Sequence, residues 1–115
     1  MSYQDNTARL RHMLDHAREA HAMAQGKLRD DLDADRQLNL SLVRLLEIVG
    51  EAASRVSPDF RAINPEISWP EVIGLRNRLV HAYDRIDFDI LWGIVSDDLP
   101  QLIGSLEQIL EKDDD

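Results

Sequence analysis

The chain has 115 residues, 43% hydrophobic and 30% charged, which suits one globular domain with one core. It contains no cysteine, which excludes disulfides, thiolate zinc sites and cysteine nucleophiles, and no apolar run approaches the roughly 18 residues needed to span a bilayer. The formal charge is −9 and no Lys/Arg cluster is present, so a broad nucleic-acid-binding surface is excluded and any phosphate chemistry must rest on a few well-placed cations.

The opening MSYQDNTARL lacks the apolar core of a signal peptide, and the expected compartment is the reducing cytoplasm. Helical periodicity dominates from there on. A first helix is predicted from about Asn6 to Gln25, with Leu10, Met13, Leu14, Ala17, His21 and Ala24 on one stripe and Gly26 ending it. Lys27 to Asp35 is polar and begins with a short turn. A long second helix follows to about Val56, its stripe formed by Leu38, Leu42, Leu45, Leu46, Val49, Ala53 and Val56. Ser57 and Pro58 stop it, because proline disfavours helix in the residue before it. Leu40, Val43 and Ile48 lie outside that stripe, more apolar perimeter than a small four-helix monomer readily covers, and imply a homodimer.

Phe60 to Ile67 reads as a connector holding Pro65. Ser68 opens the third main helix, and Ser68-Trp69-Pro70-Glu71 has the pattern of a capping box. Asp87 caps a last helix carrying Ile90, Leu91, Ile94, Val95, Leu99, Leu106 and Leu110, which Pro100 should kink. The EKDDD tail from 111 to 115 is expected to fray. No strand signal competes. The expected fold is all-α: a single domain over 1–115, an antiparallel bundle of four main helices with short connecting helical turns.

Charge is unevenly spread. Residues Asp84 to Asp115 carry ten acids against Arg85 and Lys112, whereas Ser68 to Tyr83 carries Glu71 against Arg76 and Arg78. That second stretch is a locally positive island. Plotted at about 100° per residue, Val72, Leu75, Leu79 and Tyr83 share one apolar face, and Arg76 falls on it. A guanidinium on an apolar stripe needs a partner. One reading is a buried structural ion pair with Glu47 or Glu51; the other is a functional group. His81, five residues on, would point about 140° from Arg76 on a straight helix. Three arrangements remain open: the helix ends or bends near His81, two chains share one site, or the pair is not a site.

Arg76-Asn77-x-x-x-His81-x-Tyr83 resembles the R-x4-6-H motif of HEPN domains, and more closely the R-x4-H-x-Y form of HepT-like toxins paired with minimal nucleotidyltransferase antitoxins. Val49-Gly50-Glu51-Ala52-Ala53 is similar to that family's long-helix segment. Ser68 through Asn77, and Ile86-Asp87 with Leu91-Trp92 and Asp98-Leu99-Pro100, resemble its flanks, so the likeness covers nearly the whole chain.

The resemblance implies a metal-independent endoribonuclease toxin, dimeric, with RNA as substrate and no cofactor, metal, DNA or membrane. His81 would be the general acid/base and Arg76 the stabiliser of charge on the phosphate. Asn77 would orient substrate or a catalytic side chain, and Glu51 would support the site or the dimer face. It also implies that a cognate nucleotidyltransferase silences the toxin by placing AMP on Tyr83, although that ring also suits packing against Leu79. The −9 charge leaves a rival open: a non-catalytic helical module that binds a nucleotidyltransferase or a nucleotide. A purely structural dimerisation domain is a further alternative. His12 and His16 are spaced as half a metal site, but no third ligand is evident. Trp69 and Trp92 read as core or interface anchors.

Overall fold

The computed structural model describes residues 3–81 and 85–114. Helix α1 spans Tyr3–Ala24, α2 Asp31–Ala34, α3 Arg36–Ser54, α4 Pro58–Ala62, α5 Trp69–Ile73, α6 Leu75–Leu79, α7 Phe88–Gly93 and α8 Leu99–Asp114. A π-helical turn, Ile94–Asp98, joins α7 to α8. The architecture is all-α, as the periodicity implies. Among the described residues the extended backbone is limited to one antiparallel bridge between Val80 and Ile86. No described helix is long and apolar enough to cross a membrane.

Helix α1 lies against both α3 and α8, and α3 also carries α5 and α6. The stripes foreseen on α1 and α3 form the core: Leu10, Met13 and Ala17 meet Leu42, Leu46 and Val49, all fully buried. His21 departs from its stripe and stays partly exposed, touching Gln25. Gly26 ends α1 with φ of 75°, a left-handed conformation that glycine adopts without a Cβ penalty. Buried Asn6 is satisfied by a reciprocal pair. Its Nδ2 donates to Ser57 Oγ at 3.1 Å and its Oδ1 accepts from the Ser57 N–H at 3.0 Å, tying α1 to the end of α3.

Several expectations need revision. The connector begins helically: Ser57 caps α4, accepting from the Phe60 N–H, with Pro58 at the first helical position. Ser68 does not form the capping box. With ψ of 78° its hydroxyl makes no cap bond, and the segment is anchored instead by buried Trp69, whose Nε1 donates to the Asn64 carbonyl at 2.9 Å. Val43 is covered within the chain, so the apolar surplus on α3 reduces to exposed Leu40 and half-buried Ile48.

The last helix is irregular at Pro100, as expected, with the distortion in the turn before it. Proline has no N–H for the preceding turn, and the helix widens there so that the Leu99 N–H donates five residues back to Ile94. The third main helix is two five-residue pieces, broken at Gly74.

Those pieces sit close on α3 because Gly50 has no side chain. A Cβ there would lie 3.0 Å from the Val72 carbonyl oxygen and 3.4 Å from that of Ile73. Gly50→Ala gains roughly 1 kcal/mol of helix propensity, but overpacking against backbone atoms costs about 1–3 kcal/mol. The expected net loss is about 1 kcal/mol, read from urea denaturation. A midpoint at or above wild type would show that α5 slides aside freely.

Candidate active site

The break at Gly74 decides where the positive island points. With ψ of 12° at Gly74, α5 stops and α6 restarts, its Leu75 and Leu79 buried. Arg76 and Asn77 are exposed. The expectation that Arg76 sits on the apolar face is therefore wrong: it lies about 100° from Leu75 on a helix too short to carry a buried stripe beyond Leu79. Neither proposed acidic partner reaches it. Glu47 lies 3.7 Å from Arg44, and Glu51 Oε1 is 3.0 Å from Arg55 Nη2. Arg76 makes no hydrogen bond or ion pair among the described residues. Arg78 is occupied, 3.2 Å from Asp98.

Of the three arrangements left open for His81, the first describes the chain: the helix ends before it. Val80 is extended, with ψ of 125°, and pairs with Ile86. The His81 N–H donates to the Arg85 carbonyl at 2.7 Å, and the Asp87 N–H donates to the Leu79 carbonyl at 3.0 Å. This reversal brings Asp87 to His81. One carboxylate oxygen of Asp87 caps α7, accepting from the Ile90 N–H at 3.0 Å. The other lies 3.4 Å from His81 Nε2. With a proton on Nε2, the imidazole keeps Nδ1 as an acceptor. Its side chain is 56% exposed, so that nitrogen is within reach of a substrate.

Asp87 is the residue that sequence reasoning read only as a cap. Its second role left no mark in the sequence, since it depends on the Val80–Ile86 bridge that brings it to His81. Tyr83 lies outside the described residues. Glu51 does not meet Arg76; it is exposed and lines a separate hollow between α1 and α3. The His12 and His16 rings meet edge to face at 4.5 Å, and His16 Nδ1 lies 2.7 Å from the His12 carbonyl oxygen. Trp92 packs, partly buried, against the core.

The family model for HepT-like ribonucleases matches residues 13–109. The chain belongs to the HepT-like ribonuclease family, within the HEPN superfamily. It is 38% identical over 80 residues to a probable ribonuclease HepT of Thermococcus cleftensis, covering 70% of this chain and 73% of the relative. It is 40% identical over 73 residues to a putative RNase of Methanocaldococcus jannaschii, covering 64% and 67% respectively. A putative RNase of Caldanaerobacter subterraneus is 32% identical over 84 residues, covering 73% and 75%. No solved structure matches. Membership in the HepT-like family supports ribonuclease function.

The two roles of Asp87 separate by substitution. Asp87→Ala removes the cap and should lower stability by about 1 kcal/mol, whereas Asp87→Ser keeps a capping oxygen and should restore most of it. Both remove the carboxylate from His81, so the ring ¹⁵N shifts of His81 should change alike in the two variants. Shifts matching wild type in Asp87→Ser would show that the ring does not engage this carboxylate.

Proposed function

We propose that this chain is a metal-independent endoribonuclease in which His81 and Arg76 act on the scissile phosphate. The observation that supports this best is His81 itself, exposed at the end of a broken helix with Nε2 facing Asp87. Arg76 stands exposed, with no partner among the described residues, four residues before the extended Val80. A ribose 2′-oxygen attacks the adjacent phosphorus while its proton passes to an imidazole nitrogen. The bond from phosphorus to the 5′-oxygen breaks, that oxygen takes up a proton, and a 2′,3′-cyclic phosphate remains. Negative charge grows on the non-bridging oxygens, where an always-charged planar guanidinium stabilises it. Asn77, exposed beside Arg76, orients the substrate, and Glu51, held by Arg55, has a supporting part.

In-line displacement puts the attacking 2′-oxygen and the departing 5′-oxygen on opposite sides of phosphorus, so one imidazole does not serve both well. A homodimer whose two motifs meet in one cleft supplies both groups, and exposed Leu40 gives an apolar contact for such pairing. Each His81 then needs only one role per turnover. The reading extends, through the family resemblance, to a cytoplasmic toxin silenced by its cognate minimal nucleotidyltransferase. There the Tyr83 oxygen attacks the α-phosphorus of ATP, pyrophosphate leaves, and the attached AMP sets a phosphate near Arg76.

Cleavage of a mixed-sequence RNA should persist in EDTA and fall by about 10²–10⁴-fold in His81→Ala, with helicity and dimer mass by light scattering unchanged. Full cleavage by His81→Ala would place the acid/base elsewhere, and no cleavage by wild type would favour the non-catalytic module that the −9 charge suggests. Tyr83→Phe loses only the acceptor oxygen. After incubation with the transferase, ATP and magnesium, intact-mass spectrometry should show AMP added to wild type and none to Tyr83→Phe; equal gains on both would place the modification elsewhere.

A further inference from the structure

Arginines 9, 44 and 55 converge on a hollow of about 250 Å³ between α1 and α3, where the lining offers them one carboxylate, Glu51. This is an unusual concentration of positive charge in a chain of net charge −9. Arg55 spends one donor on Glu51 at 3.0 Å, and Arg44 reaches Glu47 only at 3.7 Å. A guanidinium carries five N–H donors, so most remain unused.

Arg9 is the telling member. Its Nε is fully buried yet has no hydrogen-bond partner. Withdrawing a cationic donor from water without an acceptor is unfavourable, which favours a small rotation of the partly exposed Arg9 side chain that turns Nε toward an acceptor in the hollow. His12, one turn along α1, adds a further polar group to the wall, and Ile48 part of an apolar floor.

We propose that this hollow binds a phosphate group, and that in the working protein it is a non-scissile backbone phosphate of the RNA substrate. The assignment to RNA rests on the ribonuclease reading above. Forked guanidinium donors match the paired non-bridging oxygens of a phosphodiester. The placement fits a substrate track. Gly50, which receives the backbone of α5, is followed directly by Glu51, and Arg55 lies one turn on, so the hollow and the Arg76 segment hang on the same stretch of α3. A net acidic protein gains little non-specific attraction for RNA, so a second cationic contact away from the scissile bond supplies affinity that Arg76 alone does not.

The test has two binding arms. Inorganic phosphate alone, titrated into the intact protein, should shift the Arg9 Nε–Hε resonance saturably, and Arg44→Gln should weaken that effect. A non-cleavable 2′-O-methyl oligoribonucleotide should bind Arg9→Gln about tenfold more weakly than wild type, with a salt slope shallower by about one. Arg44→Gln, whose side chain is 71% exposed and so carries little folding risk, should show the same direction of change. No response of Arg9 to phosphate would overturn the site. A phosphate response with unchanged oligonucleotide affinity and salt slope would overturn the RNA assignment and leave a free phosphate or nucleotide as the ligand. Cleavage by wild type is assayed separately, so an inactive protein that still binds phosphate at Arg9 counts against the ribonuclease reading and not against the site.

Discussion

The carbonyl oxygen of Leu79 would serve the next turn of a continuing helix, but it accepts from the Asp87 N–H instead, at 3.0 Å. With the 2.7 Å bond from the His81 N–H to Arg85, that contact closes a reversal whose two ends are the Val80–Ile86 bridge and the start of α7. His81 leaves the helix, and Asp87 arrives beside it already fixed by its bond to Ile90. A capping carboxylate is a firm support, because it answers to the orphan amides of the helix it starts. The orientation of His81 is therefore coupled to the N-terminus of α7.

Much of this fold was legible because the apolar stripes of α1 and α3 are long enough for a 3.6-residue period to declare itself. Capping by Asp87 was equally plain, being a local pattern. The site was less so. Arg76 looked buried on a continuous plot through residues 72–83, but Gly74 interrupts the phase and α6 stops at Leu79. A single residue with ψ near zero leaves almost no mark on periodicity. The capping box at Ser68 failed for a related reason: the backbone there follows the demands of buried Trp69 and its bond to Asn64, so local preference yielded to tertiary packing. Likewise the contact between His81 and Asp87 depends on a reversal that residue types alone do not specify.

Electrostatics divides the basic residues into two groups. Arg29 bonds both Asp33 and Asp89, tying the segment before α2 to α7, and these partners raise its pKa further. Arg18 and Arg78 likewise face acids at 3.7 and 3.2 Å. Exposed pairs of this kind add little stability, but they neutralise cations that would otherwise attract phosphate indiscriminately. Among the described residues, Arg76 and the buried Nε of Arg9 stand outside this pairing. In an acidic chain, selectivity for a phosphate ligand then follows from where the guanidinium groups without an acid stand.

Helices α5 and α6 have five residues each, and α-helices that short do not persist in water by themselves. They persist here because Trp69, Val72, Leu75 and Leu79 are buried in the core that α3 helps to build. The position of Arg76 is thus set by packing on the opposite side of its own helix. Gly50 fixes how near that helix pair can come, and the reversal after Leu79 fixes where His81 faces. Any change that lifts α5 from α3 moves Arg76 without touching it, while His81 stays bound to the register of α7. The distance between the two groups is consequently the quantity most exposed to core mutations, more than the environment of either one.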